Sequence, residues 1–175
     1  SMGIWLSQGP TGYPFYLGTK ANTEEQHIAP AYPLAGANLI TGIYDNAHST
    51  LYINGLACAT PPTQTGSITT TAPIRLGWGY DTEYWNGDIA EIIVFDHEVD
   101  DYHRMKINYY LAEKWGLHNS VDSDEDGVVD SSDYAPQDPT ITTEASQYGR
   151  DIWSPTQITG TSCVLWLDAD DENTI

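Results

Sequence analysis

The sequence predicts an all-β, antiparallel chain carrying one packed α-helix and an acidic, metal-binding loop. Three observations predict it. Up to about residue 97, short β-branched and aromatic runs alternate with clusters of Gly, Pro, Asn and Asp, the signature of a strand meander. Residues 101–115 then repeat apolar positions at three- and four-residue steps, which is a helical period. Residues 122–133 read DSDEDGVVDSSD, with aspartates at positions 1, 3, 5, 9 and 12 and a glycine at position 6.

Residues 4–7 and 13–17 read as an opening hairpin turning through Gln8-Gly9-Pro10-Thr11-Gly12. Residues 38–44 and 50–53 follow, joined by the polar turn Asp45-Asn46-Ala47-His48. Asn54-Gly55, between LYI and LACAT, is the strongest hairpin signal, because both central positions of a type I′ turn need positive φ. Residues 74–78 and 89–95 close the block, and the nearly all-apolar IAEIIVF is expected to be central and covered on both faces.

The helix over 101–115 has Asp100 as N-cap, Gly116 where a left-handed C′ residue is wanted, and Lys114 suited to the C-terminal dipole. Ile107, Tyr110, Leu111 and Lys114 or Trp115 give it one apolar face toward the β-block. His103 stands where a capping-box acid belongs, so the helix start is expected to be slightly weakened.

The loop after it has the spacing that calcium chemistry asks for. Calcium is a hard cation wanting six to eight oxygens, so a short loop must turn alternate side chains inward around it. Asp122, Asp124 and Asp126 alternate in this way, Gly127 allows the sharp turn, and the Val128 carbonyl, Asp130 (directly or through water) and Asp133 complete the set, with Asp138 as an outer candidate. Position 12 is an aspartate where helix–loop–helix sites usually carry a bidentate glutamate, which favours a differently shaped loop. Calcium is thus the expected cofactor, in a structural role. Five mutually repelling aspartates with little apolar surface are expected to order only when loaded. The exit, Pro136-Gln137-Asp138-Pro139-Thr140, should be extended.

Composition narrows the function. The net charge is −19, and residues 119–175 hold thirteen acids against one base. Six Lys and Arg in all cannot build a phosphate-binding surface, so nucleic acid is excluded as a partner. No apolar run reaches the roughly 18 to 20 residues that span a bilayer, so membrane insertion is not expected. The opening Ser1-Met2, without a signal pattern, leads us to expect a piece of a longer protein whose targeting signal lies elsewhere. Cys58 and Cys163 form no disulfide framework and are expected to be buried free thiols. A carboxylate-rich calcium loop fits an extracellular or cell-surface setting, where calcium is abundant.

The run YDNAHSTLYINGLACAT, then IRLGWGYDTEYWNGDIAEIIVFDHEVD, then YYLAEKWGL resembles the second half of bacterial laminin G-like domains of the concanavalin A-like lectin/glucanase superfamily, over roughly residues 4–117. That resemblance implies an antiparallel β-sandwich of jelly-roll type. DSDEDGVVDSSDYAPQDPT is similar to a bacterial relative of the thrombospondin type-3 calcium repeat, without the cysteine often found near the proline, so the loop would rely on metal alone. VLWLDADD, after the lead-in Trp153-Ser154-Pro155 and Gln157, resembles the start of the same laminin G-like family. The implied organisation is a partial sandwich with its helix over 3–117, a calcium-binding linker over 118–140, and 141–175 as either the start of a following domain or a strand completing the first. In the latter case residues 164–167 fill the first-strand slot within the chain, or between chains in a strand-exchanged homo-oligomer through 163–168.

Candidate ligand residues are Trp78, Tyr80, Asp81 and Tyr84, with Glu83 and Trp85 nearby, where aromatics would stack a sugar ring and carboxylates accept its hydroxyls; core and rim packing is the plainer explanation. Asp45, Asn46 and His48 form the other candidate rim. No catalytic pair qualifies. Retaining glycosidases set two carboxyls about 5 to 5.5 Å apart, but Glu91 and Asp96 fall on opposite strand faces and Glu98 lies beyond the strand. His27, His48, His97, His103 and His118 show no zinc spacing, and neither a nucleophile elbow nor a phosphate loop is present. The expectation is a non-enzymatic, extracellular calcium-binding module that binds a glycan or a surface protein and sets domain spacing. The alternatives are an accessory carbohydrate-binding domain of a polysaccharide-degrading enzyme and a purely structural adhesin repeat.

Overall fold

The computed structural model describes residues 36–58, 74–77 and 84–142 in full, and the backbone of 3–7, 16–21, 24–28 and 163–168. The chain divides into two compact units. The first comprises Ser1–Leu34, Gly42–Leu51 and Cys58–Ala90, the second Ala35–Thr41, Tyr52–Ala57 and Glu91–Ile175.

In the first unit, β1 (Gly3–Ser7), β2 (Tyr16–Ala21) and β3 (Glu24–Ile28) form an antiparallel meander in that order. Ser7 pairs with Tyr16 and Gly3 with Lys20, so the partner of β1 starts at Tyr16, three residues beyond the expected start at residue 13. The strand β3 was not expected. Its sequence EEQHI has weak strand propensity, and ladder pairing of Ala21 with Glu24 and Leu17 with Ile28 overrides it.

The second sheet has the order β4 (Ile40–Tyr44), β5 (Ser49–Ile53), β6 (Leu56–Ala57). Alternate residues of β5, Ser49, Leu51 and Ile53, are buried, as a half-covered strand requires. The turn between β5 and β6 is the Asn54-Gly55 pair, at φ 52° and 89°. Asn54 also reaches outward: its Oδ1 accepts from the Leu39 amide at 2.8 Å, and its Nδ2 donates to Asn38 Oδ1 at 3.0 Å.

Two expected strands are corrected. Residues 74–77 lie outside any strand and are exposed, because Gly77 takes a left-handed φ of 69° that a pleated strand does not accommodate. The run at 89–95 begins pairing only at Glu91, with Ile89 and Ala90 exposed. The resulting β7 (Glu91–Phe95) is half-buried rather than covered on both faces, and among the described residues it has a neighbouring strand along one edge only. That strand is β8 (Cys163–Asp168), antiparallel, with Glu91 opposite Asp168, Phe95 opposite Cys163 and a register shift at Val94/Phe95. The C-terminal segment therefore does form a strand, and it pairs within the chain.

The helix α1 (Asp101–Trp115) has the expected bounds. Asp100 caps it by accepting from the His103 amide at 2.9 Å, and the His103 ring Nδ1 lies 2.7 Å from the same oxygen. The histidine thus braces the cap carboxylate itself, whereas a capping-box acid would accept from the N-cap amide. Gly116, at φ 67°, closes the helix by donating to the Ala112 carbonyl. Leu111 and Ala112 join Leu39 and Val121 in a buried cluster, against which Ile93, Ile107, Tyr110, Trp115 and Leu117 pack. Beside it the buried Glu91 carboxylate is engaged by Trp115 Nε1 at 2.7 Å, Tyr110 OH at 3.4 Å and Lys114 Nζ at 3.8 Å. The helix also buries a polar strip, Arg104 and Asn108, that its apolar periodicity did not announce.

Candidate metal centre

Downstream of Gly116 the chain turns tightly. Ser120 and Val121 both donate their amides to the Leu117 carbonyl, at 2.9 and 3.0 Å. Val121 is fully buried at 0 % exposure, which anchors the loop entrance in the apolar cluster. Asp122 then donates its amide to the Asn54 carbonyl at 3.0 Å. A Cβ on Gly55 would lie 1.7 Å from the Asp122 carbonyl oxygen, so the hairpin tip needs glycine for close approach as well as for its positive φ.

Within the loop each aspartate spends oxygens on backbone amides. Asp122 Oδ1 accepts from Glu125 N at 2.8 Å and its Oδ2 from Gly127 N at 2.9 Å. Asp124 Oδ1 accepts from Asp126 N at 3.3 Å, Asp126 Oδ1 from Val128 N at 2.7 Å, and Asp133 Oδ1 from Ala135 N at 3.1 Å. Glu125 and Gly127, at φ 65° and 95°, make the reversals that turn these side chains to one side. One carboxylate oxygen each from Asp122, Asp124 and Asp126 falls within a mutual 4.8 Å.

The second oxygens of Asp124, Asp126 and Asp133 are buried and have no hydrogen-bond donor among the described residues. Asp124 is only 5 % exposed. An anionic oxygen held out of water without a partner is costly, and native structures resolve that cost by pairing or metal coordination. The electrostatics agree: burial first, then the negative charge of Asp126, Asp133 and Asp122, pushes the Asp124 carboxyl up to about 7. Asp133 is raised by the same causes, burial leading. The donors are all oxygen, with no imidazole or thiolate in the cluster, which suits a hard cation such as calcium or magnesium.

The remaining sequence candidates make bonds of their own. Asp130 lies outside the triad. Its two oxygens accept from Ser123 N and Ser123 Oγ, both at 2.8 Å, while its amide donates to the Val121 carbonyl at 2.8 Å, so it ties the two ends of the loop together. Burial raises its carboxyl to about 6 despite those bonds. Val128 enters through its amide to Asp126. Asp138 folds on itself, accepting from the Thr140 amide and hydroxyl at 3.1 and 2.6 Å, and these bonds hold its carboxyl below the usual range.

Trp78, Tyr80 and Asp81, with Glu83, lie outside the described residues. Tyr84 is 71 % exposed and Trp85 is half-buried. Asp45 is occupied by its own turn: Oδ1 accepts from the Ala47 and His48 amides and Oδ2 lies 3.2 Å from the His48 ring. Asn46 is the exposed left-handed residue of that turn, at φ 71°. Cys58 is a free, half-buried thiol whose pKa burial raises.

Four loop partners escaped the sequence reading: Arg104, Asn108, Ser123 and Glu125. Glu125 occupies an even loop position, between the alternating aspartates. Nothing local links it to a helix arginine twenty-one residues earlier.

Over residues 1–101, more than half its length, the sequence matches the family model described as the Concanavalin A-like lectin/glucanases superfamily. The chain belongs to this superfamily. Membership implies a β-sandwich, in keeping with the strand-rich first hundred residues, and a ligand drawn from carbohydrates or proteins. The match to the Concanavalin A-like superfamily ends at Asp101, the first residue of α1, so the acidic loop lies beyond the matched region. Neither the curated proteins nor the solved structures gave a match. No helix among the described residues is long and apolar enough to cross a membrane.

Proposed function

We propose that the chain is a non-enzymatic binding and spacing module of a modular bacterial surface or secreted protein, in which Asp122, Asp124, Asp126 and Asp133 hold a calcium ion. The observation that carries the reading is the set of buried, donorless oxygens on Asp124, Asp126 and Asp133. Bound calcium would supply the positive charge those carboxylates lack and cross-link the loop. Calcium is favoured over magnesium because it accepts many carboxylates in irregular geometry, whereas magnesium keeps its waters and a strict octahedron. An extracellular setting follows from calcium supply.

Superfamily membership favours a carbohydrate or protein ligand. We place it at the segment containing Trp78, Tyr80, Asp81 and the exposed Tyr84, with Asp45 and Asn46 as the other rim. A non-enzymatic role is supported by Glu91, whose carboxylate is buried against Trp115 and Tyr110 rather than presented to a substrate. In this reading residues 118–140 form a calcium repeat related to the thrombospondin type-3 kind.

Thermal melts of the wild type and of Asp124→Ala, each with calcium, with magnesium and with chelator, test the metal. Calcium at a hundredfold excess over its Kd should add about 2.7 kcal/mol to the wild type, and nothing to the variant. Coincident wild-type curves would remove calcium from the proposal. A glycan array tests the ligand; a blank array would leave the protein-binding form alone.

A further inference from the structure

We propose that Arg104 and Glu125 form a latch through which the metal state of the loop is coupled to the β5–β6 hairpin, with both residues setting metal affinity as positioning groups. The inference rests on the metal reading above and goes beyond it, because it assigns a role to residues that face away from the ion.

Arg104 is 3 % exposed, rare burial for a cation. Its NH2 donates to Glu125 Oε2 at 2.9 Å and to Asp101 Oδ1 at 3.3 Å, its NH1 reaches the Gly55 carbonyl at 3.5 Å, and its guanidinium lies 4.1 Å from the centre of the Tyr52 ring. One side chain on α1 thus touches the loop, the hairpin turn at Gly55 and the strand before it at Tyr52. Glu125 completes the bridge from the other side, because its Oε1 accepts from the Ala57 amide at 3.1 Å. Together with the bond from Asp122 N to the Asn54 carbonyl, the hairpin meets the loop at both the first and the fourth loop positions.

Geometry makes the coupling two-way. Glu125 sits between Asp124 and Asp126, and its left-handed backbone, φ 65°, is an uncommon state for a residue with a side chain. Fixing its carboxylate on Arg104 and Ala57 holds that reversal, and with it the directions of the two neighbouring aspartates. An ion that pulls Asp122, Asp124 and Asp126 together would conversely fix Glu125, and through it the amide of Ala57 and the guanidinium over Tyr52. Groups that orient metal ligands in this way commonly change affinity by about 10- to 100-fold when removed.

The test uses Glu125→Gln, Arg104→Gln and the double variant. Glu125→Gln keeps an oxygen for Ala57, and Asp101 remains beside Arg104, so folding should persist; far-ultraviolet circular dichroism checks it. Calcium titration by calorimetry should show each single variant binding about tenfold more weakly, with the double variant no weaker than the singles. Hydrogen exchange supplies the readout that mere loss of stability would not give: at saturating calcium the amides of residues 52–57 should slow in the wild type and slow markedly less in Glu125→Gln, where only the Asp122–Asn54 and Ala57 links remain. Wild-type calcium affinity in Glu125→Gln, or hairpin exchange indifferent to calcium in the wild type, would overturn the latch alone. A wild type that binds no calcium would overturn the metal reading, and the latch with it.

Discussion

At Asp124, burial and three neighbouring carboxylates act in one direction, and the amide of Asp126 is too weak a counterweight. The carboxyl rises from its ordinary 3.8 to about 7, so in metal-free protein the folded form keeps a proton that the unfolded form has released throughout that interval. Stability in chelator should therefore fall as pH rises between those two values, the reverse of the usual behaviour of a paired carboxylate, and level off above the upper one. We expect the melting midpoint in chelator to be higher at about pH 5 than at about pH 8, and Asp124→Asn to reduce the difference, part of which comes from Asp130, raised to about 6. With calcium the slope should reverse, because the ion displaces the proton. A chelated midpoint that climbs with pH over this range would contradict the assigned environment of Asp124. The spacing DxDxDG was legible in the sequence because it is local. Which oxygens lack a donor was not, because that depends on how distant segments meet the loop, as the Asn54 carbonyl meets the Asp122 amide.

Among the elements, α1 was fully legible in its bounds, since caps and termination are written within a few residues: Asp100 and Gly116 occupy the places their chemistry suits. Its function was only half legible. Apolar periodicity found Ile107, Tyr110, Leu111 and Trp115, but the strip formed by Arg104 and Asn108 serves the loop, and polar contacts between distant segments leave no periodic trace. The cap carries a prediction of its own. The Asp100 carboxyl is held below its ordinary range chiefly by the His103 amide, against the opposing effect of burial, with the His103 ring adding to the lowering. A depressed carboxyl contributes stability above its unfolded pKa and loses it as pH falls through the folded value. Asp100→Ala should cost about 1 kcal/mol at neutral pH and less in acid, whereas Asp100→Ser should recover most of the loss. Equal stability of Asp100→Ala and wild type at neutral pH would show that the end of α1 is held by its packing alone.

For the molecule as a whole, charge and family membership set what it can meet, and the last strand determines how much of it one chain supplies. A net charge of −19 gives the molecule a field that repels phosphate-rich surfaces. The backbone pairing of β8 with β7 is made within one chain. The resemblance of VLWLDADD to a domain start pointed to that segment, but single-sequence reading could not choose its partner, because register and neighbour are settled by hydrogen bonds between residues some seventy positions apart. Without residues 160–175, β7 would present unpaired backbone groups beside half-buried Ile92, Ile93, Val94 and Phe95, the kind of edge that recruits another strand. Sizing with light scattering should then show the shortened chain forming dimers or larger species at micromolar concentration, and a peptide of residues 161–170 should return it to monomer. The full chain, whose own β8 reaches β7, should stay monomeric. A shortened chain that is monomeric and melts with the full-length midpoint would mean that β7 needs no partner, and the strand-exchange form of association would be lost with it.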